Sequence, residues 1–542
     1  METGSTTAEG RALLRGRLTG QCIAMGLLSS LLLNQASSWP LRAAERLEVS
    51  IEGVVLPVEV NDLRVWATSS GTVRTELGPW MQLLDEDSRM GLMQLLQAPV
   101  LTKSSFGEQI LRSWSAGPLL DAIGDVIRLM DGDRISSDVV LTTLEQLLKK
   151  RSQVSTLDLL EALPGRQLRL DLDALVLAAS RWRLQLKRHQ ALMNGLSQPD
   201  AAARMIPPSP STDGVSERSV QLPVAHRSRP LELRLWRPSQ PRADRVWVAL
   251  MPGLGGSPDH LKWLASHLAA SGWPVLLLEH PGSDAAAVQA LLEGRESFDG
   301  ARALRERQLD LEAVLSAQAR QRIPLPGERV VLAGHSMGAL TALVASGHTP
   351  QRGMAQSCRK ALVDLPLTNL SKLLQCELAD RGVLRSRSAR VSPAAVVGLN
   401  SLGSVIWPVG SSKPSQTPLL LVGGTLDLIT PPLDEQIGLL ASLGQHPSSR
   451  VVVIEGASHF SPIRVGESLI STREDDLFQL GEDLVGVNPR IVQRIIANEI
   501  VVFLSRLSIQ SSVSVDEHWS DEGVRWHRLT VEGAGNLYRR YQ

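Results

Sequence analysis

The stretch Gly334-His335-Ser336-Met337-Gly338 has the form G-x-S-x-G. Glycines on both sides suit a serine held on a sharp turn, where its backbone is strained and its neighbours must pack closely. In a chain with 43 glycines the pattern alone is a weak signal, and its flanks carry the weight. An apolar run at 330–333 precedes it and a helical stretch at 339–345 follows. Ser336 is therefore expected on a strand–turn–helix, where the helix N-terminus favours negative charge. A serine hydroxyl is a poor nucleophile without a base, so an acid and then a histidine should follow downstream. The run 419–422 leads into Gly423-Gly424-Thr425-Leu426-Asp427, and 451–454 leads into Gly456-Ala457-Ser458-His459-Phe460. These residues could perform acyl transfer, with His459 as base, Asp427 orienting it and Ser336 attacking a carbonyl. The oxyanion needs donors. Met337, the residue after the nucleophile, offers one backbone amide, and Leu254 in the loop Pro252-Gly253-Leu254-Gly255-Gly256 offers the other. Of eleven histidines only His459 has this order and setting. His280 lies upstream and reads as structural or pocket-lining, and His335 as packed inside the turn.

The elements that must position these residues follow from periodicity. After about residue 220, short apolar runs bounded by Gly and Pro alternate with helical stretches. The runs are 246–251, 275–278, 330–333, 419–422 and 451–454, and a long striped helix at 489–507 closes the set. This pattern predicts an α/β fold with a mostly parallel sheet covered on both faces. Asp427 and His459 would then lie at carboxyl ends of strands, where such sheets gather catalytic groups. From 45 to 196 the spacing is helical. Leu119, Leu120, Ile123, Val126, Ile127 and Met130 recur at three to four residues, as do Val140, Leu144, Leu147 and Leu148. Ser155 and Asp158 have capping-box spacing. An all-α domain is expected there, with a Pro- and Ser-rich linker at 197–219. The α/β region is placed at 220–508, with an insertion at 347–393 where a lid would sit. Residues 509–542 are a tail with no assigned element.

Lys plus Arg and Asp plus Glu balance at 56 each, which removes the electrostatic reason to track nucleic acid. Arg11, Arg15 and Arg17 precede an apolar run at 22–33, followed by small residues at Ala36, Ala43 and Ala44. A dozen apolar residues is short for a bilayer but fits an export signal, so 1–44 is read as a signal peptide, with an uncleaved anchor as the alternative. The expected location is exported, periplasmic or membrane-associated. Removing the signal removes Cys22 and leaves Cys358 and Cys376, which form either a disulfide in an oxidising compartment or two buried thiols. No Cys/His cluster has zinc spacing, and no metal or cofactor is expected.

Residues 220–507 resemble the α/β-hydrolase branch that holds platelet-activating-factor acetylhydrolases, dienelactone-hydrolase-like proteins and bacterial polyester hydrolases. Pro252-Gly253-Leu254-Gly255, Gly334-His335-Ser336-Met337-Gly338 and Gly456-Ala457-Ser458-His459-Phe460 carry the likeness, with Glu279-His280-Pro281-Gly282-Ser283 in support. Residues 45–196 resemble an uncharacterised domain that precedes such hydrolases in cyanobacteria. Two departures stand out. Relatives commonly have His-Gly where this chain has Pro252-Gly253. Acetylhydrolases of the branch can draw their acid from the preceding strand, here 394–399, which ends at Asn400, so Asp427 is preferred and Asp364 is a weaker rival. The resemblance implies a serine hydrolase acting on a small-molecule or lipid ester. The competing readings are an inert hydrolase-fold scaffold that recruits a partner, and a peripheral membrane contact made by the helical region or the lid insertion.

Overall fold

A computed structural model describes residues 46–542 apart from 52–53, 70–75, 98, 103–123, 125, 130–134, 165–166, 198–200, 293–298, 349, 364–368, 379–383, 385–391, 411–414, 464–485 and 509–514. The export signal expected at 1–44 and the rival acid Asp364 both lie outside the described residues.

The N-terminal region is not all-α. It holds β1 (Arg46–Ile51), β2 (Val54–Glu59), β3 (Pro99–Thr102), β4 (Ile127–Leu129), β5 (Gln153–Ser155) and β6 (Gln167–Asp171). Four of these form a mixed sheet in the order β2-β1-β6-β4, and β3 pairs with β5. The helical spacing expected through Ile127 gives way to a strand there. The reason is visible in the buried residues. Leu47 and Val49 alternate with Glu48, and Leu168 and Leu170 alternate with Arg169, so each short strand offers one apolar face. Such runs are brief beside the helix Ser137–Lys150, whose Val140, Leu144 and Leu148 pack into the same core. The Ser155–Asp158 capping box is present, each side chain bonding the other residue's backbone N–H.

Eleven strands build the second sheet: β7 (Ala202–Ala203), β8 (Val215–Leu222), β9 (Leu231–Pro238), β10 (Val246–Met251), β11 (Val275–Leu278), β12 (Arg329–His335), β13 (Ala395–Leu399), β14 (Leu419–Gly424), β15 (Arg450–Ile454), β16 (Glu517–Asp521) and β17 (Val524–Thr530). Their order is β7-β16-β17-β15-β14-β13-β12-β10-β11-β9-β8. The six from β11 to β15 are mutually parallel, and antiparallel hairpins flank them on both sides. Because successive side chains face opposite ways, the central runs must be apolar throughout. In β10, Trp247, Ala249 and Met251 enter one core while Val246, Val248 and Leu250 enter the other.

Two boundaries move. The segment expected as linker already contains β7 and the start of β8. The tail is part of the sheet, since β17 pairs with β15, and the helix Val531–Tyr541 packs beyond it. The 26-residue helix Leu172–Ser197 joins the two regions: Leu172 and Leu175 lie in the N-terminal core, whereas Leu192 and Leu196 lie in the main one.

Candidate active site

Loops leave the carboxyl ends of the six parallel strands on one edge. β12 ends at His335 and delivers Ser336 at the head of the helix Met337–Ala345. Ser336 has φ 51° and ψ −117°, a conformation that costs an L-residue about 1–3 kcal/mol and persists only where its surroundings enforce it. Its N–H donates to Leu399 O at 2.8 Å, which ties the turn to the end of β13. A methyl at Gly338 would overlap the Met251 carbonyl, and one at Gly334 would overlap the Gly338 backbone. The two glycines are thus required by close approach. Met337 is the first residue of its helix, so its N–H has no partner within the helix.

The loop after β14 carries Asp427, which is 1% exposed. Its Oδ1 accepts the N–H groups of Ile429 at 2.9 Å and Thr430 at 2.7 Å. Its Oδ2 accepts from Asn400 Nδ2 at 2.7 Å, Thr430 Oγ1 at 2.6 Å and His459 Nδ1 at 3.0 Å. Burial pushes this carboxyl up, but the facing His459 and the converging donors outweigh burial and leave its pKa at about 2. A carboxylate can only accept, so His459 Nδ1 carries a proton and donates it to this bond. His459, on the loop after β15, is buried and packs edge-on to Phe460.

His335 links the two halves. It is buried, its Nε2 donates to His459 O at 2.9 Å, and its ring centroid stands 4.9 Å from that of His459. His335 immediately precedes Ser336, so its bond to the His459 carbonyl ties the two loops together. The loop after β10 closes the site from the other side. A Cβ on Gly253 would stand 3.2 Å from Ser336 Cβ and 3.0 Å from His335 Nδ1, so Leu254 follows directly beside the Ser336 turn.

The structure therefore brings Ser336, Met337, Asp427, His459 and the Leu254 loop to one edge. His280 is not in that group. It is buried, and its Nδ1 lies 2.9 Å from Asp310 Oδ2. Three contributors went unread in the sequence. Asn400, which stands where this strand end lacks an acid, donates to Asp427. Thr430 follows Asp427 by three residues, and this Asx-type spacing was a usable signal. Arg307 is fully buried beneath the β10 loop, and nothing in its local sequence marks it. Burial draws its pKa down to about 9, against the opposing pull of Asp310 and Asp284, so it remains a cation at neutral pH.

Cys358 and Cys376 are joined in a disulfide with a Cα–Cα distance of 5.3 Å. It connects the helices Met354–Val363 and Ser371–Glu377 of the insertion. The second helix is anchored to the acid loop, because Leu370 and Ser371 donate their N–H groups to Leu428 O and Ile429 O at 3.3 and 2.9 Å. A cavity of about 860 Å³ opens elsewhere, among Arg242, Trp247, Gln318 and Gly327. It holds none of the site residues and sits at the amino ends of β10 and β12, away from the edge where parallel sheets gather reactive groups.

Residues 43–171 match a family described as an alpha/beta hydrolase of unknown function (DUF1400). The matched stretch covers the N-terminal sheet region and ends before the eleven-stranded sheet begins. No curated protein matches the chain. The mixed eleven-stranded sheet with its covering helices is an α/β fold, and the matched N-terminal stretch is similar to a family described as an alpha/beta hydrolase.

Proposed function

We propose that this chain is a serine hydrolase that cleaves carboxylic esters through an acyl-enzyme intermediate. The observation that carries the reading is the His459 Nδ1–Asp427 Oδ2 hydrogen bond of 3.0 Å, set on the same sheet edge as the left-handed Ser336. Asp427 holds the tautomer that leaves Nε2 of His459 free to accept a proton. His459 takes the Ser336 proton as the oxygen attacks the ester carbonyl, and the amides of Met337 and Leu254 receive the oxyanion. The imidazolium then protonates the leaving alcohol, and a water activated by the same nitrogen releases the acid.

Leu426 and Leu428 flank the buried Asp427 and are 50% and 54% exposed. Apolar surface at that position favours an acyl or lipid ester over a charged substrate. Among the described residues no helix is long and apolar enough to cross a membrane. The Cys358–Cys376 disulfide favours an oxidising compartment, in keeping with export.

The test is hydrolysis of p-nitrophenyl esters of increasing acyl length by wild type and Ser336→Ala. A fall of about 10³-fold or more in kcat in the variant is expected, and the optimum length reports pocket depth. A folded wild type that hydrolyses none of the esters and takes no fluorophosphonate label would instead support a scaffold.

A further inference from the structure

The helix Gly300–Ala319 runs beneath the β10 loop, and Arg307 projects from it with no solvent exposure. Its Nη1 donates to Pro252 O at 2.7 Å and its Nη2 to Gly253 O at 2.7 Å. Nη2 also reaches Ser283 O at 3.3 Å, and Nε donates to Ser283 Oγ at 2.7 Å. The guanidinium thus spends its planar fork on two successive carbonyls of the loop and clamps it to the loop after β11. In a trans peptide the carbonyl and the following N–H point in opposite directions. Fixing the Gly253 carbonyl toward Arg307 therefore turns the Leu254 N–H away from Arg307, and fixing the Pro252 carbonyl does the same for the Gly253 N–H. The loop borders the Ser336 turn, because a Cβ on Gly253 would stand 3.2 Å from Ser336 Cβ. Pro252 has no backbone N–H with which to anchor itself.

A buried cation bonded only to neutral oxygens needs countercharge close by. Asp310, one turn further along the same helix, supplies it. Arg227 grips Asp310 through Nε at 2.6 Å and Nη2 at 2.7 Å, while His226 and His280 reach it at 2.7 and 2.9 Å. Arg227 also donates to Pro281 O at 2.9 Å. The whole cluster is directed at the backs of the β10 and β11 loops.

We infer that Arg307 is a positioning residue for the oxyanion site: through the carbonyls of Pro252 and Gly253 it sets the direction of the Leu254 amide. The inference rests on the ester-hydrolase reading. It predicts a loss confined to the transition state, since an amide turned aside weakens oxyanion binding and leaves ester binding alone.

The experiment compares full-length wild type, R307M, R307K and S283A by thermal melting, by kcat and KM on p-nitrophenyl butyrate, and by inhibition with a butyl trifluoromethyl ketone. That ketone forms an oxyanion on the nucleophile and reports the hole directly. Folded R307M should lose about tenfold or more in kcat, keep KM within about twofold, and bind the ketone more weakly by the same factor as kcat/KM. R307K, which can still donate to one carbonyl, should recover part of both losses. Wild-type kcat in folded R307M, or a loss of kcat with unchanged ketone affinity, would overturn the inference. If R307M fails to fold, R307K is judged by the same two readings. S283A removes the acceptor of Nε and should show a smaller parallel loss, and parallel failure of both variants to lose anything would likewise overturn it. A wild type that turns over no ester and takes no fluorophosphonate on Ser336 removes the hydrolase reading and this role together. An active wild type with an unaffected R307M removes only the role of Arg307.

Discussion

Buried histidines and a buried carboxylate give the stability of this fold a pH dependence, each group with the same sign. His335 is depressed to about 3 by burial first and by the facing His459 second, while His280 and His348 are depressed to about 4, chiefly by burial. Each takes up a proton more readily when unfolded, near its ordinary value of 6.5. The stability tied to the neutral ring is therefore complete above pH 6.5, erodes as pH falls, and is gone by the folded value. Each group contributes a slope of about 1.4 kcal/mol per pH unit within its window. Asp427 adds the same sign lower down: its contribution is complete above about pH 4 and is lost as pH falls through about 2. The melting temperature should thus fall steadily from pH 6.5 to pH 4. In H335Q the side-chain amide can still donate to His459 O but cannot titrate, so its decline over that range should be shallower. A decline as steep as wild type would mean that His335 is already protonated in the fold.

At the scale of elements, the turn between β12 and its helix works because backbone meets backbone where side chains would normally stand. Gly338 abuts the carbonyl of Met251 at the end of β10, so the Ser336 turn and the loop after β10 meet there. G338A must push these apart, and overpacking of this kind costs about 1–3 kcal/mol. Its expected signature is a loss of ester hydrolysis larger than the loss of stability, measured by comparing kcat/KM with the urea midpoint. This element was legible in the sequence because a G-x-S-x-G turn between an apolar run and a helix has few other uses. The acid loop was legible only in part. Asp427 stood out at a strand end, whereas Asn400, 27 residues earlier, reaches it solely because β13 and β14 are neighbours in the sheet.

For the whole molecule, the last 28 residues described are as structural as the centre. Arg528 in β17 is fully buried and grips Glu499 through Nε at 2.8 Å and Nη2 at 2.9 Å, and Trp526 Nε1 donates to the same carboxylate at 3.2 Å. Glu499 belongs to the helix Pro489–Ser508, so β17 is bolted to the layer covering the sheet. Removing one partner strands a buried charge, and R528M should destabilise the fold by about 3–5 kcal/mol in chemical denaturation. An effect below about 1 kcal/mol would mean the tail is dispensable.

The sequence by itself determined the parallel core of the main sheet, because continuous apolar runs between helices can be buried only there. It also marked Ser336, Asp427 and His459 as candidates, since each stands where such a run stops. Tertiary structure alone decided the rest. The short strands of the N-terminal region carry apolar alternations of only a few residues, too brief to outweigh the helical spacing around them until partners bury them. The tail joins the sheet through the backbone ladder between β17 and β15, and Trp526 and Arg528 tie it to a helix elsewhere in the chain. Arg307 meets the β10 loop across 54 residues of sequence, a contact made by burial and hydrogen bonding that leaves no local pattern to read.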